Sequence, residues 1–276
     1  MSILKSVLGS LEARLSQPRL SLWRTIYFNF RTLPFCQAIK LPVYIYGKVR
    51  FFMLNGSVII QSRKLSSGMI KIGTNGDSFS LFDHSGYVQL ASTNSYIVFE
   101  GRCRIALNTK IRVIHGILTF GANSRIGSDS KVICNGGNIY IGNNTGVTFG
   151  CTIMNSSFHY TYDQNRKGYR NRSSNIYIGK HCWIGNQTTI LGNAKLPDFS
   201  IVGSGSLVNK DLCQVCQSGY PMIAGRPATI ITYGIKRVFS PKTEVKVQAL
   251  FETDDCQSFV QSEEFIDNPN DIVVEL

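Results

Sequence analysis

The chain has 276 residues, of which 43 % are hydrophobic and 17 % are charged, and its formal net charge is +12 at pH 7. This composition is typical of a folded soluble protein with a continuous apolar core. We find no cleavable signal and no apolar run of the ~20 residues that cross a bilayer, which excludes a membrane-spanning class. A cytoplasmic location is therefore expected.

The charge is unevenly distributed along the chain. Residues 1–240 hold 27 Lys and Arg against 8 Asp and Glu, whereas residues 241–276 hold 2 against 9. A basic body favours anionic partners, such as nucleic acid, a phosphate-bearing cofactor or an anionic membrane surface, although a basic surface can also simply be solvated. The sequence thus predicts a basic body followed by an acidic C-terminal tail.

The start of the chain reads as a helical and aromatic extension. An amphipathic helix is predicted over residues 1–17, and Pro18 ends it. Its apolar face comprises Leu4, Val7, Leu8, Leu11 and Leu15. Residues 20–52 then interleave aromatic side chains such as Trp23 with cations such as Arg24. Such a segment can lie at a membrane interface, or it can cover the open end of a solenoid, and both interpretations stay open here.

Strand-like sequence begins at Val58. A pattern of aliphatic, any residue, aliphatic and glycine recurs at Ile70–Gly73, Leu118–Gly121, Ile139–Gly142 and Ile176–Gly179. Between Ser78 and Arg112 the pattern is irregular, although Tyr87–Leu90 and Tyr96–Phe99 still predict strands.

A six-residue repeat dominates the second half of the chain. Its aliphatic anchors are Ile141, Val147, Ile153, Ile178, Ile184, Ile190, Leu196, Val202 and Val208. The residues four positions after each anchor, small in all but the last case, are Thr145, Cys151, Ser157, Cys182, Thr188, Ala194, Ser200, Ser206 and Leu212. This period fits short strands that turn a corner every sixth residue, so that three strands close a triangular coil around the anchors. Coils of this kind stack about 4.8 Å apart through parallel strand pairing, which predicts an all-β fold, a parallel β-helix.

These patterns divide the chain into three parts. We expect an N-terminal extension or cap over residues 1–57, a β-helix over residues 58–230 and an acidic tail over residues 231–276. A triangular coil presents three flat faces, and packing them around a threefold axis builds clefts between subunits. A homotrimer is therefore predicted.

One large interruption of the repeat lies between Ile153 and Ile178, where a loop runs from His159 to Asn175. The loop is polar, aromatic and basic, and a long insertion in a strict repeat is more often functional than accidental. His159 is the best candidate general base, because an imidazole can accept and return a proton near neutral pH.

The neighbours of His159 are candidates for acceptor binding. Asn155 and Asp163 could orient the imidazole or hold acceptor hydroxyls, or they could cap the loop. Tyr160 is a further candidate contact for the acceptor. Of the remaining histidines, His84 and His115 lie in irregular coils without a motif, and His181 lies in a coil turn of the repeat.

Four stretches of the chain resemble the hexapeptide-repeat acyltransferases, in particular the O-acetyltransferase branch that contains maltose and galactoside acetyltransferases and their capsule and O-antigen relatives. These stretches are NSSFHYTYD at 155–163, IYIGKHCWIG at 176–185, IVGSGSLVNKD at 201–211 and AGRPA at 224–228. The resemblance implies a left-handed β-helix and an acetyl-CoA-dependent O-acetyltransferase. It also implies that His159 deprotonates an acceptor hydroxyl, which then attacks the thioester.

The same resemblance implies residues that bind acetyl-CoA. Trp183 is implied to lie beside the cofactor arm. The corner residues expected along the arm are Gly185, Asn186, Ser204 and Gly205, and those expected near the phosphates are Asn209, Lys210 and Arg226. Amide, ammonium and guanidinium groups of the second set suit phosphate oxygens.

Sequence reasoning also weighs other functions. Zinc enzymes on this fold need three histidines, two of them close together, and the four histidines include no close pair, so no metal is expected. Cys213 and Cys216 form a single C-x-x-C, which without a second pair is weak evidence for metal binding. Cys151 and Cys182 occupy the small-residue position and should be buried, whereas His181, in a coil turn, should be on the surface.

The leading hypothesis is O-acetylation of a sugar or glycan acceptor, in the biosynthesis of a surface polysaccharide. One alternative is an N-acyltransferase acting on an amino sugar or nucleotide sugar. Another is a non-enzymatic β-helix scaffold that binds anionic lipid. We expect no nucleic acid partner, and we expect residues 1–52 to allow peripheral contact with the inner membrane face.

Overall fold

The computed structural model of the protein describes residues 17–75, 85–252 and 259. Residues 1–16 of the predicted amphipathic helix lie outside the described residues, as do His84 and most of the acidic tail. The description below concerns the described ranges alone.

Parallel strands wind around one axis and form the three faces of a β-helix, which confirms the predicted fold class. Strands are numbered along the chain. The first face consists of β1 (Val43–Ile45), β4 (Ile70–Thr74), β7 (Cys103–Ala106), β9 (Ser124–Ile126), β11 (Gly146–Val147), β16 (Trp183–Ile184), β19 (Ile201–Val202) and β21 (Met222–Gly225). Strand β22 (Ala228–Thr232) pairs antiparallel with β21 and ends this face.

The other two faces share two long strands, β8 (Lys110–Phe120) and β10 (Lys131–Ile141), which contribute their first halves to the second face and their second halves to the third. The second face also contains β2 (Arg50–Leu54), β5 (Tyr87–Leu90), β12 (Thr152–Met154), β17 (Thr189–Leu191) and β20 (Leu207–Val208). The third face also contains β3 (Ser57–Ile60), β6 (Ser95–Phe99), β15 (Ile176–Ile178) and β18 (Lys195–Leu196).

The chain passes from the first face to the second, then to the third, and back to the first. We call the corner between the first and second faces the first edge, the corner between the second and third faces the second edge, and the remaining corner the third edge. Strand β10 turns through the second edge at Gly136 and Gly137, whose φ values of 62° and 117° suit glycine. The nine-residue step from Val132 to Ile141 in the sequence reflects these extra corner residues.

The anchors of the six-residue repeat fill the interior of the helix. All nine anchors from Ile141 to Val208 are buried. The small residues that follow them are buried too, with the exception of Ser157, which lies in the insertion and is exposed. Burial raises the pKa of the Cys182 thiol to about 12, so this cysteine is a small core residue, as predicted.

The first coil lies earlier in the chain than the repeat suggests. Strands β5 and β6 confirm the predicted strands at 87–90 and 96–99. Parallel pairing, however, already begins at Val43, because β1 pairs with β4 in register from Val43 and Ile70. The aromatic segment therefore contributes a coil of its own ahead of residue 58.

A helix covers the N-terminal end of the first face. Helix α1 (Leu22–Thr32) is followed by the short helix α2 (Phe35–Ala38). The Asn29 amide donates to the Val43 carbonyl at 2.7 Å and accepts from the Val43 N–H at 3.1 Å, while the Thr25 hydroxyl accepts from the Ile45 N–H at 3.0 Å. These bonds satisfy backbone N–H and C=O groups on the side of β1 that has no neighbouring strand.

Two further elements lie outside the β-helix proper. Strands β13 (Thr161–Asp163) and β14 (Gly168–Arg170) form an antiparallel hairpin in the inserted loop, and helix α3 (Pro241–Glu252) follows β22. Within the described ranges, none of the helices is long and apolar enough to span a bilayer.

Candidate active site

The insertion that carries His159 leaves the β-helix at the second edge. The chain departs after β12 at Asn155 and returns at Ser174, just before β15. Between these points the hairpin of β13 and β14 pairs Thr161 with Arg170, and the rings of Tyr162 and Tyr169 meet at 5.1 Å across the strands. The predicted loop is thus an ordered hairpin with its base on the helix.

Asn155 fixes both ends of the insertion. Asn155 is only 1 % exposed. Its side-chain amide donates to the Ser174 carbonyl at 2.8 Å, and its side-chain oxygen accepts from the Asn135 N–H, also at 2.8 Å. The Asn155 carbonyl in turn accepts from the Ser174 N–H at 3.0 Å. The side chain therefore joins two neighbouring coils to the returning strand, and its contact with an acceptor stays a prediction.

Asp163 stabilises the turn of the hairpin. One carboxylate oxygen accepts from the N–H groups of Asn165 and Arg166, both at 3.1 Å. The other oxygen pairs with the Arg170 guanidinium, whose Nε lies at 3.1 Å. The hydrogen bond from Arg170, followed by that from Arg166, lowers the pKa of Asp163. These contacts describe loop capping, which is one of the roles that the sequence left open for Asp163.

His159 and Tyr160 lie at the start of the hairpin, and both are exposed. The residue before them, Phe158, has a φ of 64°, which is uncommon for a bulky side chain. The Ser156 hydroxyl accepts from the Phe158 N–H at 3.1 Å, and the Ser157 hydroxyl donates to the His159 carbonyl at 2.9 Å. The His159 imidazole belongs to an exposed residue and makes no hydrogen bond to another described residue.

The other described histidines have structural partners. His115 lies at the second edge, where its Nδ1 is 3.1 Å from the Ser92 hydroxyl. His181 is buried, contrary to the surface position expected for it, because the Phe199 ring stacks on it at 4.8 Å. Burial lowers the pKa of His181, and nearby Lys180 lowers it further. His181 therefore packs between neighbouring ring side chains, as a structural residue.

Five of the predicted cofactor residues meet at the first edge. Corners after β16, β19 and β21 stack there, and the Gly205 N–H donates to the Asn186 carbonyl at 2.8 Å. A Cβ on Gly205 would meet nothing within 4 Å, so a ligand can approach the backbone. Exposed Ser204 and Arg226 flank this open ledge.

The sequence predicts that Gly185 lies along the cofactor arm, but the structure gives this glycine a different role. A Cβ at this position would lie 2.6 Å from the Ser204 nitrogen and 2.6 Å from the Val202 carbonyl oxygen. The next coil thus fills the space above Gly185, and this residue is buried. Its glycine permits close stacking of two coils.

The last two predicted cofactor residues lie on another edge. Asn209 and Lys210 follow β20, which belongs to the second face, so they stand at the second edge. The Lys195 N–H donates to the Lys210 carbonyl at 3.3 Å, and both Asn209 and Lys210 are exposed. They share this edge with the base of the His159 hairpin, whereas Ser204 and Arg226 do not.

Trp183 lies on the first face, and 40 % of its surface is exposed. The guanidinium of Arg237 lies 5.1 Å from its ring centroid and 5.7 Å from that of Phe239. Sequence reasoning missed Arg237, because the segment after β22 carries no repeat that would indicate where it packs.

Comparison with known proteins gives one short sequence match and several structural ones. No protein-family model matches the chain. A chloramphenicol acetyltransferase from Morganella morganii is 33 % identical over 79 residues, covering 26 % of this chain and 35 % of that protein. The chain thus spans about a third of the length of this curated relative.

Among solved structures, the polySia-specific acetyltransferase NeuO has a TM-score of 0.52 at 20 % identity, covering 75 % of this chain and 82 % of that one. The polysialic acid O-acetyltransferase OatWY has a TM-score of 0.40 at 20 % identity, and the match covers 74 % of this chain and 98 % of that one. The likeness to NeuO shows the fold, which is the left-handed β-helix of hexapeptide-repeat acyltransferases.

Proposed function

We propose that the protein is an acetyl-CoA-dependent O-acetyltransferase that modifies a sugar hydroxyl. The observation that carries this proposal is the exposed imidazole of His159, held on an ordered polar hairpin at an edge of a hexapeptide β-helix. The matched stretch of chloramphenicol acetyltransferase and the fold shared with a polySia-specific acetyltransferase support the same class of reaction.

Acetyl-CoA supplies the acetyl group as a thioester. The His159 imidazole would accept the proton of an acceptor hydroxyl while the hydroxyl oxygen forms the new bond to the acyl carbon. The carbon–sulfur bond then breaks, and the imidazole returns the proton to the departing sulfur. The product is an O-acetyl sugar with free coenzyme A, and the base is regenerated.

The distribution of the proposed site residues over two edges supports a site that is shared between copies of the chain. His159 projects from the second edge, whereas the open ledge at Gly205 and the exposed guanidinium of Arg226 lie at the first edge. The second face separates these edges within one chain. We propose a homotrimer in which the second edge of one copy faces the first edge of the next, so that each site combines both.

The proposed acceptor is a glycan destined for a surface polysaccharide, and the proposed location is the inner membrane face. Residues 17–60 include six Lys and Arg and no Asp or Glu. The outer side of α1 exposes Leu22, Trp23, Ile26, Tyr27 and Phe30. Apolar insertion together with attraction to anionic lipid is the combination that reversible membrane binding generally needs.

Removal of the proposed base tests the reaction. His159→Ala should lower the turnover of radiolabelled acetyl-CoA with a glycan acceptor by at least ~100-fold, because the base acts on the acceptor. Calorimetric affinity for coenzyme A should stay within about twofold. His115→Ala is the matched control, since His115 is also exposed at the second edge. Ordinary turnover in His159→Ala would remove the assignment.

A mixing experiment tests the shared site. Ser204→Trp would fill the ledge at the first edge, and His159→Ala would remove the base at the second edge. If each site combines two copies, trimers formed from equal amounts of both inactive variants should regain about a quarter of the wild-type turnover. Mixed trimers that stay inactive would contradict the shared site.

A further inference from the structure

Three cations stack on the first face, away from the His159 hairpin. Lys71 of β4 pairs in register with Arg104 of β7, and Arg104 pairs with Arg125 of β9. Their side chains therefore point to the same side of neighbouring strands, which lie about 4.8 Å apart. Like charges directly opposite one another destabilise a sheet. We call Lys71, Arg104 and Arg125 the cation column.

The electrostatics of the cation column show that its charges interact. The pKa of Lys71 is lowered first by burial and then by Arg104. The pKa of Arg125 is also lowered, first by burial and then by Arg104, while Glu244 of α3 opposes the shift. Among the described residues, the carboxylate of Glu244 acts on Arg125. Within this part of the chain the column carries more positive than negative charge, which a bound anion would relieve.

A cavity of about 240 Å³ opens beside the column, between the first face and the C-terminal segment. Arg104, Arg125 and Arg237 line it, together with Trp183 and Glu244. The cavity therefore brings three guanidinium groups to one small space, with an indole beside them.

Two of the three arginines of the cavity, Arg104 and Arg237, are positioned by their neighbours. The Arg104 Nε donates to the Thr74 hydroxyl at 2.9 Å, and its Nη2 donates to the Asn75 carbonyl. A Cβ on Gly146 would lie 3.2 Å from the Arg237 Nη1, so the glycine leaves room for this guanidinium over β11. The Arg125 side chain donates no hydrogen bond to another described residue and so keeps its donors for a ligand.

We infer that the cavity between the cation column and the C-terminal segment binds an oxyanion, either a phosphate or a carboxylate. Planar guanidinium groups suit both anions, because each presents parallel N–H donors that match two oxygens. The cavity lies on the first face, whereas His159 lies at the second edge. Because Trp183 is also one of the residues expected beside the coenzyme A arm, the inference rests on the proposed function and adds an oxyanion site next to that arm.

Fluorescence of Trp183 provides the test. The chain has two tryptophans, and Trp23→Phe leaves Trp183 as the only reporter. The Trp23→Phe protein is titrated with sodium phosphate and, separately, with digalacturonate, at constant ionic strength maintained with chloride. A saturable change in fluorescence is expected with phosphate, with digalacturonate or with both, and the arm that saturates identifies the anion.

Three variants in the Trp23→Phe background localise the binding. Arg125→Gln should weaken the anion affinity at least tenfold, and Arg125→Lys, which keeps the charge without the planar fork, should weaken it less. Lys131→Gln is the matched control, because it removes an exposed cation from the second face and should leave the affinity unchanged. The inference is overturned if neither anion saturates the signal, or if Arg125→Gln and Lys131→Gln lose affinity equally. Because no turnover is measured, the result is independent of the proposed acetyl transfer.

Discussion

Replacing Asn155 by alanine should release the hairpin that carries His159. The change removes two hydrogen bonds of 2.8 Å, one from the Asn135 N–H and one to the Ser174 carbonyl. An unsatisfied buried polar group costs about 1–3 kcal/mol, so loss of both bonds should destabilise the closed hairpin by about 2–4 kcal/mol. Most of the residues from Ser157 to Arg172 are exposed, so we expect local opening rather than global unfolding.

Hydrogen–deuterium exchange of residues 156–174 measures this opening. A cost of about 2–4 kcal/mol corresponds to a roughly 30- to 1000-fold rise in the population of the open hairpin. Turnover should fall at least ~10-fold, because the base then loses its fixed position, whereas the affinity for coenzyme A should change little. Asn171→Ala is the control, since Asn171 is exposed and, within the described part of the chain, its side chain bonds to the nearby Ser173 N–H at 3.1 Å. Unchanged protection in Asn155→Ala would refute the bracing role.

Three further outcomes are expected. Gly185→Ala should lower the free energy of unfolding in urea by about 3 kcal/mol or more, because its Cβ would clash with the next coil. Gly205→Ala, which has open space and a φ of 71°, should lower it by only about 1 kcal/mol. Equal losses in the two variants would contradict this contrast. Lys210→Ala and Arg226→Ala should raise the KM for acetyl-CoA more than they lower kcat, and the effect should shrink with added salt; a selective fall in kcat would argue against phosphate binding. The protein should sediment with phosphatidylserine liposomes at low salt, and Trp23→Ser with Phe30→Ser should abolish this; sedimentation that survives both changes would rule out the outer side of α1 as the contact.

The periodicity of the sequence predicts the core well, because the anchor positions have one physical role. Each anchor points into a narrow triangular interior, so an aliphatic side chain is needed at every sixth residue. Ile141 and Val208, at the two ends of the strict repeat, are both fully buried. Ser157 breaks the rule because the insertion carries it away from the coil.

The N-terminal coil escaped the sequence reasoning because its outward residues are apolar as well. In β2, Phe52 and Met53 are exposed while Leu54 is buried, so hydrophobicity no longer marks the inward positions. The pattern that separates core from surface in later coils is therefore hidden here. Pairing of β1 with β4 shows the coil directly.

The edge on which a residue stands could have been counted from the sequence. Paired residues in consecutive regular coils, such as Trp183 and Ile201, are 18 positions apart, which is three repeats. Gly185 and Gly203 obey this spacing and share an edge, whereas Asn209 lies one repeat further and stands on the next edge. The six-residue period alone shows that a residue stands at a corner. The 18-residue spacing between coils is needed to show at which of the three edges that corner lies.

The segment that covers the first face could not be derived from the repeat. Arg237 and Glu244 follow the last coil, in a stretch without periodic anchors. Their position depends on contacts with Trp183 and Arg125, which lie on strands far away in the sequence. Such contacts are set by tertiary packing, so a local pattern carries no signal for them.

The two ends of the first face limit how far this sheet can extend. A parallel coil offers the same row of backbone donors and acceptors to a foreign strand as to its own next coil, so an uncovered end can template filament growth. Here the Asn29 side chain hydrogen-bonds to the backbone N–H and C=O groups of Val43 at one end. At the other end β22 pairs antiparallel with β21. An antiparallel partner ends the parallel register of this face, so another molecule cannot extend this face in the same register. Loss of either element should therefore convert a discrete particle into one that polymerises end to end.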